Sequence, residues 1–180
     1  LQKVLTNVKA RGTWGEVQLG ALLEEMLSPE QYLKNVRISE SGGDFVEFAI
    51  KLPGQSDLPG DCVLIPVDAK FPIEDYQRLL DAQERGDVAA ADEAVRQLET
   101  GIKKAARDIF QKYIAPPKTT DFGIMFLPSE GLYAEVIRRT ALVAVLQREY
   151  HIVVTGPTTF AALLNSLQMG FRTLAIQKRS

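Results

Sequence analysis

Asp68 and Lys70 stand two residues apart at the end of the apolar run Leu64-Ile65-Pro66-Val67. In an extended strand alternate side chains share a face, so the carboxylate and the ammonium project from one side while Val67 and Ala69 project from the other. Unpaired charges are costly on a covered strand, and two readings of the pair stay open: a salt bridge, or a site for chemistry on charged substrates. Glu47, flanked by Val46 and Phe48 on a neighbouring candidate strand, brings a second carboxylate if the two strands pair. Adjacent carboxylates repel, and the remedies are a shared proton or a bound cation. Oxygen ligands beside a lysine point to a hard cation, Mg2+ or Mn2+. The plain alternative for Glu47 is the solvated face of an antiparallel sheet.

Glu16 follows two glycines and a tryptophan in Gly12-Thr13-Trp14-Gly15-Glu16. That entry would turn it inward, although a first-turn acid is also favoured by the helix dipole alone. Ser129, after a strand and before a helix, reads as an N-cap. No G-x-S-x-G elbow, P-loop or G-x-G-x-x-G occurs. With one cysteine, Cys62, and one histidine, His151, the 180 residues hold no disulfide pair and no Cys/His zinc cluster. His151 reads as a surface residue. A net charge of −2, from 21 basic and 23 acidic residues, gives no general pull toward nucleic acid, so DNA binding must rest on local bases such as Lys70, Arg138 and Arg139. The plain reading of Arg138 and Arg139 is a solvated helix end.

Composition, 46% hydrophobic and 24% charged, is that of a globular domain. The longest apolar run, Ala141 to Leu146, is far short of the ~20 residues a bilayer crossing needs. Leu1, Val4, Leu5 and Val8 read as a helix entered partway and broken at Gly12; a first helix follows, with Trp14, Leu23 and Leu27 on one side. Strands are expected around Val36 to Ser39, around Glu47 to Lys51 and over Cys62 to Val67, with a Ser-Gly-Gly hairpin turn at 41–43. Ile73 to Leu80 reads as a helix and Gly86 as its stop. Over 87–113, Val88, Val95, Ile102 and Ile109 fall seven apart, with Ala91, Leu98 and Ala105 between, a heptad seam. A buried strand at Phe122 to Leu127, two short helices, a strand at Ile152 to Thr155 and a final helix opened by Pro157 complete a mixed sheet with helices on its faces.

Gly12-Thr13-Trp14-Gly15-Glu16, Val46 to Pro53, Pro66-Val67-Asp68-Ala69-Lys70-Phe71-Pro72 and Met125-Phe126-Leu127-Pro128-Ser129-Glu130-Gly131 together resemble the RmuC family. The likeness continues through Tyr133-Ala134-Glu135 and Gly156-Pro157-Thr158-Thr159 and spans nearly the whole chain. It implies a bacterial DNA recombination protein similar to the PD-(D/E)XK nucleases, with a restriction-endonuclease-like αβββαβ core. It implies a Mg2+-dependent deoxyribonuclease in which Glu47, Asp68 and the Ala69 carbonyl hold the ion, Lys70 orients or deprotonates water and Glu16 is the helix acid. Val46-Glu47 departs from the usual Pro-Asp, and the second acid is Asp rather than Glu. Residues 1–12 then end a preceding helix or coiled coil, and 13–180 form one nuclease-like domain with a helical insertion over about 73–115. The seam of the 87–113 helix and the helical pattern at both chain ends point to self-association through helices, and the resemblance further implies a full-length protein anchored in the inner membrane by a segment outside this stretch, with this domain on the cytoplasmic face.

Overall fold

The computed structural model describes residues 8–39, 42–53 and 62–179. The helical spacing read at the start of the chain, the tip of the hairpin turn and most of the loop after Pro53 lie outside these residues.

Helix α1 (Val8–Met26) and a 3-10 turn (Pro29–Gln31) lead to strands β1 (Tyr32–Arg37), β2 (Phe45–Pro53) and β3 (Cys62–Ala69). Helices α2 (Ile73–Glu84) and α3 (Val88–Tyr113) cross to β4 (Gly123–Phe126). Helices α4 (Glu130–Ile137) and α5 (Thr140–Tyr150) cross to β5 (Ile152–Thr155), and α6 (Pro157–Arg179) follows. The five strands lie side by side in chain order. β1, β2 and β3 pair antiparallel, whereas β3, β4 and β5 pair parallel, as connections long enough to carry helices permit.

Alternation along the parallel strands sorts the core into two layers. Ile65, Val67, Ile124 and Phe126 pack with Leu19 and Leu23 of α1 and with Phe160 and Leu164 of α6. Met125 packs on the other side with Leu98, Ile102 and Ile109 of α3 and Leu142 and Leu146 of α5. Asp68 is the strand partner of Met125, so its side chain faces the α3 layer.

Three sequence expectations shift. The first strand runs from Tyr32 to Arg37 rather than from Val36 to Ser39, because Asn35 takes a left-handed conformation (φ 51°) that breaks the apolar alternation midway. No break falls at Gly12: α1 continues through it and through Gly15, where a Cβ would lie 3.5 Å from Ala69 Cβ and 3.6 Å from a Pro128 ring carbon. The helix thus passes over the ends of β3 and β4 at ordinary van der Waals separation. On α3 the buried stripe is Ala94, Leu98, Ile102, Ala106 and Ile109, while Val88 is 73% exposed. Of the expected seam, Leu98, Ile102 and Ile109 are buried and Ala91, Val95 and Ala105 pack against the same core. The stripe departs at Val88 and widens to Ala94 and Ala106 because the helix packs on the sheet, α2 and α5 together. Gly86, at φ 68°, supplies the left-handed turn that folds α3 back on α2.

Among the described residues no helix is long and apolar enough to cross a membrane. Gly156 makes the tightest buried approach: a Cβ there would sit 2.9 Å from Cβ and Cγ of Tyr133. Gly156→Ala should therefore lower the unfolding free energy by about 1–3 kcal/mol, measured in urea, by overpacking the junction of β5 and α4.

Candidate active site at the carboxyl ends of the parallel strands

Asp68 is the penultimate residue of β3 and Lys70 is the first beyond it. The Lys70 amide donates to the Phe126 carbonyl at 2.9 Å, which extends the β3–β4 ladder by one residue and pins the lysine backbone. Lys70 Nζ lies 2.9 Å from Asp68 Oδ2; the lysine side chain is 39% exposed and the aspartate 4%. Oδ2 has no aligned hydrogen bond, so the contact is a close ion pair that leaves a buried carboxylate oxygen incompletely satisfied. The salt bridge read from sequence therefore forms.

Glu47 reaches the same point from β2. The β2–β3 register pairs Phe48 with Val67, and one step further it sets Glu47 opposite Asp68. Glu47 Oε2 accepts a hydrogen bond from the Ala69 amide at 3.2 Å. Thus it is the N–H of Ala69 that meets the acid. Burial, and then the charge of Asp68, push the Glu47 carboxyl up to about 9; the Ala69 hydrogen bond opposes this and Glu16 reinforces it. At neutral pH Glu47 keeps its proton. Burial also pushes Asp68 up, and the attraction of Lys70 offsets only part of that. Burial works to lower Lys70, but Asp68, with Glu47 and Asp108, outweighs it and holds the ammonium above its usual value.

Glu16 sits on an exposed position of α1, yet its carboxyl comes within hydrogen-bonding reach of Glu47. The α1 end is fastened by Trp14, which stacks on Phe71 with ring centroids 5.2 Å apart, just after Lys70. Three acids from α1, β2 and β3 and one lysine thus converge. Among the described residues no group of three or more His, Cys, Asp or Glu is placed to hold a metal ion. The oxygen set that fits a hard cation is the facing pair Glu47 and Asp68, whose buried Oδ2 has an ion-pair contact to Lys70 but no aligned hydrogen bond.

Beside the acids opens a cleft of about 400 Å³ lined by Arg11, Gly12, Glu47, Ala69, Lys70 and Phe71, with the first turn of α2. Sequence reading missed two of its neighbours. Arg11 is buried on the α1 row that continues through Gly15, Leu19 and Leu23, and a charge on that row is a signal; the expected break at Gly12 concealed it. Tyr113, at the end of α3, packs beside Val46 and Leu64. Its hydroxyl is pushed up to about 12 by burial and then by Asp68, Asp44, Glu47 and Asp108.

Other residues stand apart. Ser129 caps α4, its Oγ accepting from the Leu132 amide at 3.3 Å. His151 is exposed, with Nδ1 2.9 Å from the Asp121 carbonyl oxygen. Arg138 and Arg139 both bind Glu135, each at 3.2 Å, and among the described residues no ion pair joins them to the acids.

The buried proton has a measurable consequence. Below pH 4.5, the ordinary value, folded and unfolded chains both hold the Glu47 proton; between there and about 9 only the folded chain does. Stability should fall as pH rises through that window, with Asp68 adding a slope of the same sign. Melting temperatures at pH 5.5 and pH 8.5 should differ less for Glu47→Gln than for the wild type. Equal differences would show that Glu47 does not carry the proton.

The sequence matches the RmuC family over residues 1–180. The DNA recombination protein RmuC homolog of Xylella fastidiosa (strain Temecula1) is 57% identical over 180 residues, covering 100% of this chain and 39% of that protein. The homolog from Chlamydia pneumoniae is 27% identical over 182 residues, covering 99% and 40%. The chain therefore spans about two fifths of the length of these relatives. No solved structure gives a significant match. From the match along its whole length, the chain belongs to the RmuC family.

Proposed function

We propose that this domain is a metal-dependent deoxyribonuclease, similar to the PD-(D/E)XK enzymes, that cleaves DNA during recombination. The observation that carries the reading is the buried Asp68, set opposite Glu47 across two paired strands and followed by Lys70 at the mouth of a cleft. The names of the relatives support the context of DNA recombination. The strand order, three antiparallel-paired strands and then parallel additions behind helical crossovers, accords with such a core.

Glu47 and Asp68, with the backbone at Ala69, would hold Mg2+ or Mn2+, which when bound lowers the pKa of water and offsets charge on phosphate oxygens. Glu47 must then give up its proton, and Asp68 exchanges part of its attraction to Lys70. Because its neighbours hold Lys70 protonated, the ammonium orients the water and balances charge on the phosphate; it does not serve as a base. Glu16 lies beside Glu47 on the solvent side, where the proton that Glu47 gives up leaves for water. DNA contacts come from Lys70 and, further off, from Arg138 and Arg139, whose two charges share one counter-ion in Glu135.

A second reading, a DNA-binding or assembly module without catalysis, is favoured by one observation: Asp68 already has a counter-ion in Lys70, 2.9 Å away. Lys70→Met separates the two. A catalytic lysine should cost about 10²-fold or more in cleavage of single-stranded, duplex or branched DNA while the rise in melting temperature with Mn2+ survives. Wild-type protein that takes up the ion yet cleaves none of these DNAs would leave only the second reading.

A further inference from the structure

The cleft holds two cations, and they are held differently. Lys70, 39% exposed, faces a carboxylate that is 4% exposed, so in this pair it is the counter-ion that is sealed in. Arg11 is itself sealed in, with 8% of its side chain exposed, but its counter-ion Glu74 is 64% exposed; Nη2 and Oε1 lie 3.1 Å apart. The arrangement is lopsided. A guanidinium fixed in the cleft wall needs an anion, since an unpaired buried charge is expensive, whereas an exposed carboxylate returns to water at little cost. Glu74 lies in the first turn of α2, which lines the same cleft as Glu47 and Lys70. Any anion entering the cleft therefore meets Arg11 with a counter-ion that can step aside.

We propose that Arg11 is a positioning residue for a phosphodiester group of a DNA strand, and that Glu74 occupies the phosphate's place until DNA enters. The guanidinium fork matches two phosphate oxygens, which an ammonium cannot do, and α1 carries Arg11 on the buried row that also sets Gly15 against β3. The substrate class rests on the nuclease reading above. The contact itself does not require cleavage.

The test is fluorescence anisotropy of a labelled duplex oligonucleotide, without divalent ions, across a salt series. Arg11→Gln should weaken binding about 10-fold or more and reduce the slope of log affinity against log salt by about 0.9, the loss of one phosphate contact. Arg11→Lys should restore the slope but only part of the affinity. Glu74→Gln, on an exposed position, should tighten binding several-fold by removing the competing carboxylate. A folded Arg11→Gln that keeps the wild-type slope overturns the proposal. If that variant fails to fold, Glu74→Gln decides: binding no tighter than the wild type overturns it equally. Because no metal is present and no cleavage is read, a wild type without nuclease activity leaves this result unaffected.

Discussion

Two carboxyl groups facing each other at one point of the sheet are the constraint around which this molecule is organised. β3 is the strand where the sheet changes character, antiparallel to β2 on one side and parallel to β4 on the other. At its carboxyl end Asp68 is buried with Glu47 opposite. Without a cation the pair is tolerable only if one acid keeps its proton and the other keeps a counter-ion. Both happen: burial and the neighbouring charge hold the proton on Glu47, and Lys70 closes on Asp68. One feature of the chain thus produces a perturbed carboxyl, a raised ammonium and an incompletely satisfied oxygen within a single cleft.

The rest of the fold supports that point. The Lys70 amide donates a hydrogen bond to the Phe126 carbonyl of β4, so β4 as well as β3 sets the position of the lysine. α1 brings Glu16 and Arg11 to the acids because it passes over Ala69 and Pro128 at Gly15 and because Trp14 stacks on Phe71. The ends of the other parallel strands serve the scaffold: Ser129 caps α4, and Glu130 accepts from the Thr158 amide at the start of α6. Strand ends that look alike in sequence therefore divide between the candidate site and the scaffold.

Much of this was legible in the sequence. The alternation of Val67, Asp68, Ala69 and Lys70 correctly placed acid and lysine on one face, and the apolar run before them correctly marked a covered strand. β5 and the two central helices fell where their apolar periods and Gly86 put them. Less legible was whatever depended on partners distant in sequence. Glycine at position 12 carries a local propensity to break a helix, but packing of the Arg11-Gly15-Leu19-Leu23 row overrode it, and with the break went the buried arginine. Neither the left-handed Asn35 nor the exposure of Val88 at the start of the α3 seam has a signature shorter than the tertiary contacts that select it. Nor could spacing alone show that Glu47 would hold a proton, since that follows from burial.

The proposed cation site at Glu47 and Asp68 would have a resting state closed by a proton and a lysine. Titration calorimetry with Mn2+ at pH 7.5, repeated in buffers of different ionisation enthalpy, counts the protons released as the ion binds. About one proton per ion is predicted for the wild type, and close to none for Glu47→Gln. Binding of Mn2+ by the wild type without proton release, or no binding at all, would contradict the account.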